Sequence, residues 1–170
     1  MKSYIRFVFN AVFWLVMITG FLTLQASAEQ YSNEDMHCLY LNVYHEARGE
    51  PIEGQLAVAH VTLNRVKSSR FPDTICKVVK QGKYKNGQPV KDKCQFHWWC
   101  DGRGDKVHNQ RDWKSVKTNV DTAVKWYKVG EDFSKAALFY HTKNMTTRWS
   151  RKFTKVATIG KHAFFDGVKK

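Results

Sequence analysis

Residues 39–65 read LYLNVYHEARGEPIEGQLAVAHVTLNR, two helical patterns with a single break between them. Met36, Leu39, Tyr40, Val43 and Ala47 recur at three- and four-residue steps, which puts them on one face of an amphipathic helix. Ser32 followed by Asp35 predicts a capping box at its start. Gly49 ends the run and Pro51 suits the first turn of a second helix, with its stripe at Ile52, Leu56, Ala59, Leu63 and Val66. Glu46 therefore falls in the last turn before the break, between two packed helices. The helix macrodipole and burial both disfavour a negative charge there, so the position favours the neutral acid. Glu46 is a candidate proton donor on that ground; a solvated surface glutamate is the plain alternative.

Working outward, Arg70-Phe71-Pro72-Asp73 marks a turn, with Asp73 expected to cap a short helix through Ile75, Val78 and Val79. Residues 82–93 are polar and Lys-rich, carry Asn86-Gly87 and Pro89 as turn signals, and read as a loop. Residues 94–102, CQFHWWCDG, are dense in aromatics. Rings beside amides and carboxylates suit the apolar faces and hydroxyl edges of sugars, although Trp98 and Trp99 equally suit a core. Val116, Val120, Ala123, Val124 and Tyr127 mark a further helix closed by Gly130. Residues 136–141 (AALFYH) read as a buried strand carrying Tyr140 and His141 to its end, and residues 153–159 and 161–165 as two strands joined at Gly160. Helices fill the first two thirds and a small antiparallel sheet the last, which predicts a single α+β domain.

Lys2 and Arg6, an uncharged apolar run over residues 7–24 and Ala26-Ser27-Ala28 predict a signal peptide over residues 1–28 and a working domain over 29–170. The expected location is outside the cytoplasm, in the periplasm or cell envelope, with membrane contact only through this segment. The 28 Lys and Arg against 15 Asp and Glu give a net charge of +13, or +11 once Lys2 and Arg6 are set aside. Such a surface suits an anionic partner, and export makes that an envelope polymer rather than nucleic acid. Cys38, Cys76, Cys94 and Cys100 all lie in the working domain. Their spacings lack the C-x-x-C knuckles of zinc sites, so two disulfides are expected. Three pairings are open; a local Cys94–Cys100 bridge would leave Cys38 with Cys76.

The blocks Tyr44-His45-Glu46-Ala47-Arg48-Gly49-Glu50, Gly54-Gln55, Ala57-Val58-Ala59 and Leu63-Asn64-Arg65-Val66 resemble those of the germination-type cell-wall hydrolases (the SleB/CwlJ group). Later blocks follow in the same order: residues 71–76 (FPDTIC), 94–96 (CQF), 100–102 (CDG), 137–141 (ALFYH), Trp149, and Ile159-Gly160 with His162 and Phe164. The family pattern usually closes on Tyr where this chain has Phe165. The resemblance implies a lysozyme-like α+β domain that cleaves the MurNAc–GlcNAc β-1,4 bond of peptidoglycan, with Glu46 as catalytic acid. It also implies a transglycosylase outcome, in which the sugar's own 6-hydroxyl attacks and Glu46 takes a proton back. A hydrolase would need a second carboxylate, for which Glu50 and Glu53 stand nearby in sequence; an orienting role for Glu50 is the preferred reading. Tyr44, Phe96 and Tyr140 are expected to wall the cleft, and Gln95 and His141 to hydrogen-bond the sugar, so Glu50, Gln95, Phe96, Tyr140 and His141 form the expected binding set. Asn64 and Arg65 are assigned to structure. No metal or cofactor is expected, and the protein is expected to be a monomer. A metal-dependent amidase or endopeptidase is the first rival, but His45-Glu46 meets glycine at position 49 where HExxH needs its second histidine. A non-catalytic envelope-binding module is the second.

Overall fold

The computed structural model describes residues 31–170, so the predicted signal segment lies outside the described residues. Among those residues no helix is long and apolar enough to cross a membrane. The first helix, α1, spans Asn33–Ala47 and the second, α2, Ile52–Lys67. Ser32 caps α1 by accepting from the Asp35 amide, but the reciprocal arm of the predicted box is not made. The Asp35 carboxylate instead accepts from the Cys76 amide at 2.8 Å, tying α1 to α3 (Ile75–Val79). That short helix is capped by Thr74 and not by Asp73, which pairs with Lys77 one turn on.

Every residue of α2 from Gly54 to Leu63 is buried, while Ile52 at the start of its predicted stripe is 57% exposed. A helix apolar on nearly all sides belongs at the centre of a domain. Here α2 packs against α1, α3 and α4 (Gln110–Lys128) and touches the sheet. The five apolar positions predicted for α4 are all buried.

Residues 82–93 are not a loop. They form most of a hairpin of β1 (Gly82–Lys85) and β2 (Gln88–Cys94), turning through Asn86 and Gly87, both at positive φ. An Asn-Gly pair is suited to this two-residue turn, because both residues tolerate the left-handed region. A 3₁₀ turn, His97–Cys100, follows. The last third holds β3 (Phe139–Thr142), β4 (Phe153–Ile159) and β5 (His162–Lys169) in the antiparallel order β3-β5-β4. The strand predicted over 136–141 starts later, because Lys135 and Ala136 adopt positive φ in the turn that delivers it. The cysteines pair as Cys38–Cys76 and Cys94–Cys100.

Candidate active site

Glu46 sits in the last turn of α1, half-buried, and its Oε2 accepts a 3.1 Å hydrogen bond from the Tyr140 hydroxyl. Tyr140 reaches it from β3, where the ladder sets it opposite Phe164 on the central strand. Burial pushes the Glu46 carboxyl above its ordinary value, and the Tyr140 hydrogen bond and the charges of Arg65 and His97 pull the other way. Burial likewise raises the Tyr140 phenol far above its usual range, with the Glu46 charge adding to it. It therefore stays a neutral donor towards the carboxylate.

Arg65, on the last turns of α2, is 2% exposed. Its Nε donates to the Leu138 carbonyl at 2.8 Å, and its guanidinium lies 5.1 to 5.7 Å from the ring centres of Phe71, Phe96 and Phe139. Burial lowers its pKa to about 10, which leaves a cation at neutral pH. So a buried positive charge, wrapped in aromatic faces, stands beside the pair formed by Glu46 and Tyr140. The Leu138 bond and the packing on three Phe rings fit the mainly structural role expected of Arg65; its charge beside Glu46 is an addition of which its spacing on an apolar helix gives no sign.

The other expected site residues divide. Glu50 has its side chain 6% exposed and its Oε2 accepts from the Lys161 amide at 2.7 Å, with His162 Nδ1 at 4.0 Å. Gly160 has φ +57°, and a Cβ there would meet that oxygen and approach Pro51 Cδ to 3.1 Å, so glycine suits the point where the carboxylate meets the β4–β5 turn. This is the geometry of an anchor. Gln95 is exposed, and its backbone N–H donates to the backbone carbonyl of Gln81. Phe96 does not wall a cleft: it is 3% exposed and packed under Arg65. Tyr44 does not either, since its hydroxyl is used up accepting the His108 and Asn109 amides ahead of α4. His141 lies on the opposite face of β3 from Tyr140, as neighbours on a strand must, and packs against Trp149 and Phe165. His97, absent from the expected set, is exposed, held by Asp92 at 3.0 Å, and close enough to act electrostatically on Glu46. Its place directly after Gln95-Phe96 was the available signal. Among the described residues no three His, Cys, Asp or Glu side chains gather as a metal site would require.

The pattern of the family described as cell wall hydrolase matches residues 49–165, starting just past Glu46. The chain is 31% identical over 134 residues to a spore cortex-lytic enzyme of Oceanobacillus iheyensis, covering 79% of this chain and 42% of the relative. It is 32% identical over 137 residues to that of Bacillus subtilis, covering 79% and 38%. The chain thus spans about two fifths of the length of these curated relatives. The fold is similar to the catalytic domain of the germination-specific lytic transglycosylase SleB from Bacillus anthracis, with a TM-score of 0.60 and 32% identity, covering 81% of this chain and 98% of that one. On sequence and fold together, the chain belongs to the cell wall hydrolase family.

Proposed function

We propose that this protein cleaves the glycan strand of peptidoglycan at the MurNAc–GlcNAc β-1,4 bond as a lytic transglycosylase, with Glu46 as both acid and base. The observation that carries the reading is the half-buried carboxyl at the end of α1, hydrogen-bonded by Tyr140 and facing the buried cation of Arg65. In the first step the Glu46 proton passes to the leaving glycosidic oxygen as positive charge grows at the anomeric carbon. Tyr140 and Arg65 hold the carboxylate that results. In the second step the sugar's 6-hydroxyl bonds to the anomeric carbon and returns its proton to Glu46, giving a 1,6-anhydro end. Burial favours the acid form needed first, and the hydrogen bond and cation keep the base form accessible afterwards. The name of the SleB catalytic domain supports the transglycosylase outcome over hydrolysis. Two disulfides suit an oxidising compartment and support action in the cell envelope. In this reading Glu50 positions the loop after α1 against the sheet, and Gln95 and His97 meet the sugar from the rim.

Digestion of purified sacculi followed by mass spectrometry of the released muropeptides tests the proposal. Anhydro ends are expected from the native protein and none from Glu46→Gln, with both proteins melting at similar temperatures. Reducing ends would put water in place of the 6-hydroxyl, and freed stem peptides would move the activity off the glycan altogether.

A further inference from the structure

The start of α1, α3 and β1 border an open depression of about 440 Å³ that shares no residue with the surroundings of Glu46. It is lined by Glu34, Pro72, Lys77, Lys80, Gln81 and Tyr84, among others. Glu34 and Glu46 lie near opposite ends of α1, about 18 Å apart along the axis at 1.5 Å per residue. The volume falls in the range of sites that take a small ligand.

Tyr84 gives the depression its character. The ring is 47% exposed, yet its hydroxyl is fixed twice, donating to the Lys80 carbonyl at 2.7 Å and accepting from the Trp99 indole at 3.0 Å. An exposed aromatic face held in one orientation loses little freedom on binding, and such faces match the C–H side of a sugar ring. Beside it, Lys77 and Lys80 pair with Asp73 and Glu34 in solvent-exposed contacts at 2.9 and 3.9 Å, and the Lys80 ammonium also lies 5.3 Å from the centre of the Trp99 ring. Pairs of that kind are weak and exchange readily for other carboxylates.

We propose that this depression is a second binding site for an N-acylated amino sugar carrying an acidic peptide, with Tyr84 stacking on the ring and Lys77 and Lys80 meeting the carboxylates. Resting on the function proposed above, it holds a part of the same polymer that is not being cut, such as a neighbouring strand with its stem.

The test is an NMR titration of the protein with a purified disaccharide–tetrapeptide. Amide shifts at Lys80, Gly82 and Tyr84 are expected to saturate separately from those near Glu46. Tyr84→Ala weakens this set alone by about tenfold, the loss of one aromatic contact, and leaves turnover of short soluble glycan chains unchanged. Lys77→Ala with Lys80→Ala weakens the peptide-bearing probe and leaves the peptide-free disaccharide unaffected. Shifts confined to the neighbourhood of Glu46, or native affinity in folded Tyr84→Ala, overturn the second site. Lysis of sacculi by Glu46→Gln would overturn the parent reading instead, and the titration still reports on Tyr84 in that event.

Discussion

Burial and hydrogen bonding act on Glu46 in opposite directions, and catalysis by one carboxyl needs both. Burial dominates and raises the carboxyl, so a protonated donor is available above the pH at which an ordinary glutamate has ionised. In the proposed mechanism the first step requires the acid form, so activity is expected to decline as pH rises through the Glu46 pKa. Tyr140→Phe removes the hydrogen bond that favours the carboxylate. The alkaline limb of the pH–rate profile should therefore move upward, while the maximal rate falls because the carboxylate left after proton donation has lost a partner. A limb that moves downward, or stays put with an unchanged rate, would remove Tyr140 from the mechanism. The helix end beside a break makes Glu46 a candidate but leaves a solvated glutamate open, and it is the motif resemblance that singles it out. Its partner was not legible, because Tyr140 lies 94 residues away and local periodicity carries no information on which strand crosses a helix terminus. Phe96 illustrates the converse error: an aromatic next to polar residues suggested a sugar contact, while its ring serves as a lid on Arg65.

At the scale of elements, α2 organises the molecule through its C-terminal turn. Asn64 Nδ2 donates towards Asp132, Ser134 and the Ala137 carbonyl at 2.9 to 3.1 Å, and its Oδ1 accepts from the Tyr127 hydroxyl at 2.6 Å. One side chain thereby joins α2, α4 and the turn that leads into β3, so it sets where Tyr140 arrives. Asn64→Ala leaves several of these groups unsatisfied and should cost about 2–4 kcal/mol, read as a lowered urea midpoint. Burial opposes ionisation of Asp132, but its contact with His60 and hydrogen bonds from Ser134, Asn64 and the Ala136 amide outweigh it and hold the carboxyl well below the usual range. A depressed carboxyl adds stability above its unfolded pKa, roughly 4, and that share is lost as pH falls towards the folded value. Asn64→Ala should therefore also flatten the acid limb of stability against pH. The three long helices were legible because their apolar periodicity is the signal that burial imposes. The β1–β2 hairpin was not, since its strands are mostly exposed and Lys-rich and show no alternation. Its Asn86-Gly87 pair is the one clue, because both residues suit the positive φ of a two-residue hairpin turn.

For the molecule as a whole, the two disulfides do different work. Cys38–Cys76 joins α1 to α3 across 38 residues, beside the hydrogen bond from the Cys76 amide to Asp35. Cys94–Cys100 closes only six residues, but those carry Phe96 under Arg65 and His97 near Glu46. Gly82 is needed against it, since a Cβ there would lie 2.9 Å from the Cys94 sulfur. Loop-closure entropy grows with the logarithm of loop length, which assigns about 4 kcal/mol to the first bridge and about 2 kcal/mol to the second. Stability and activity should therefore separate. Replacing Cys38 and Cys76 by serine should lower the urea midpoint more, while the surviving folded fraction keeps its turnover. Replacing Cys94 and Cys100 should cost less stability and more turnover, because it frees the segment that packs Arg65 beside the acid. Denaturation curves and turnover per folded molecule, measured on both pairs, check this. Unchanged turnover without the second bridge would mean that the 94–100 segment keeps its place through Phe96 packing and the Trp98–Asn42 hydrogen bond without the covalent link.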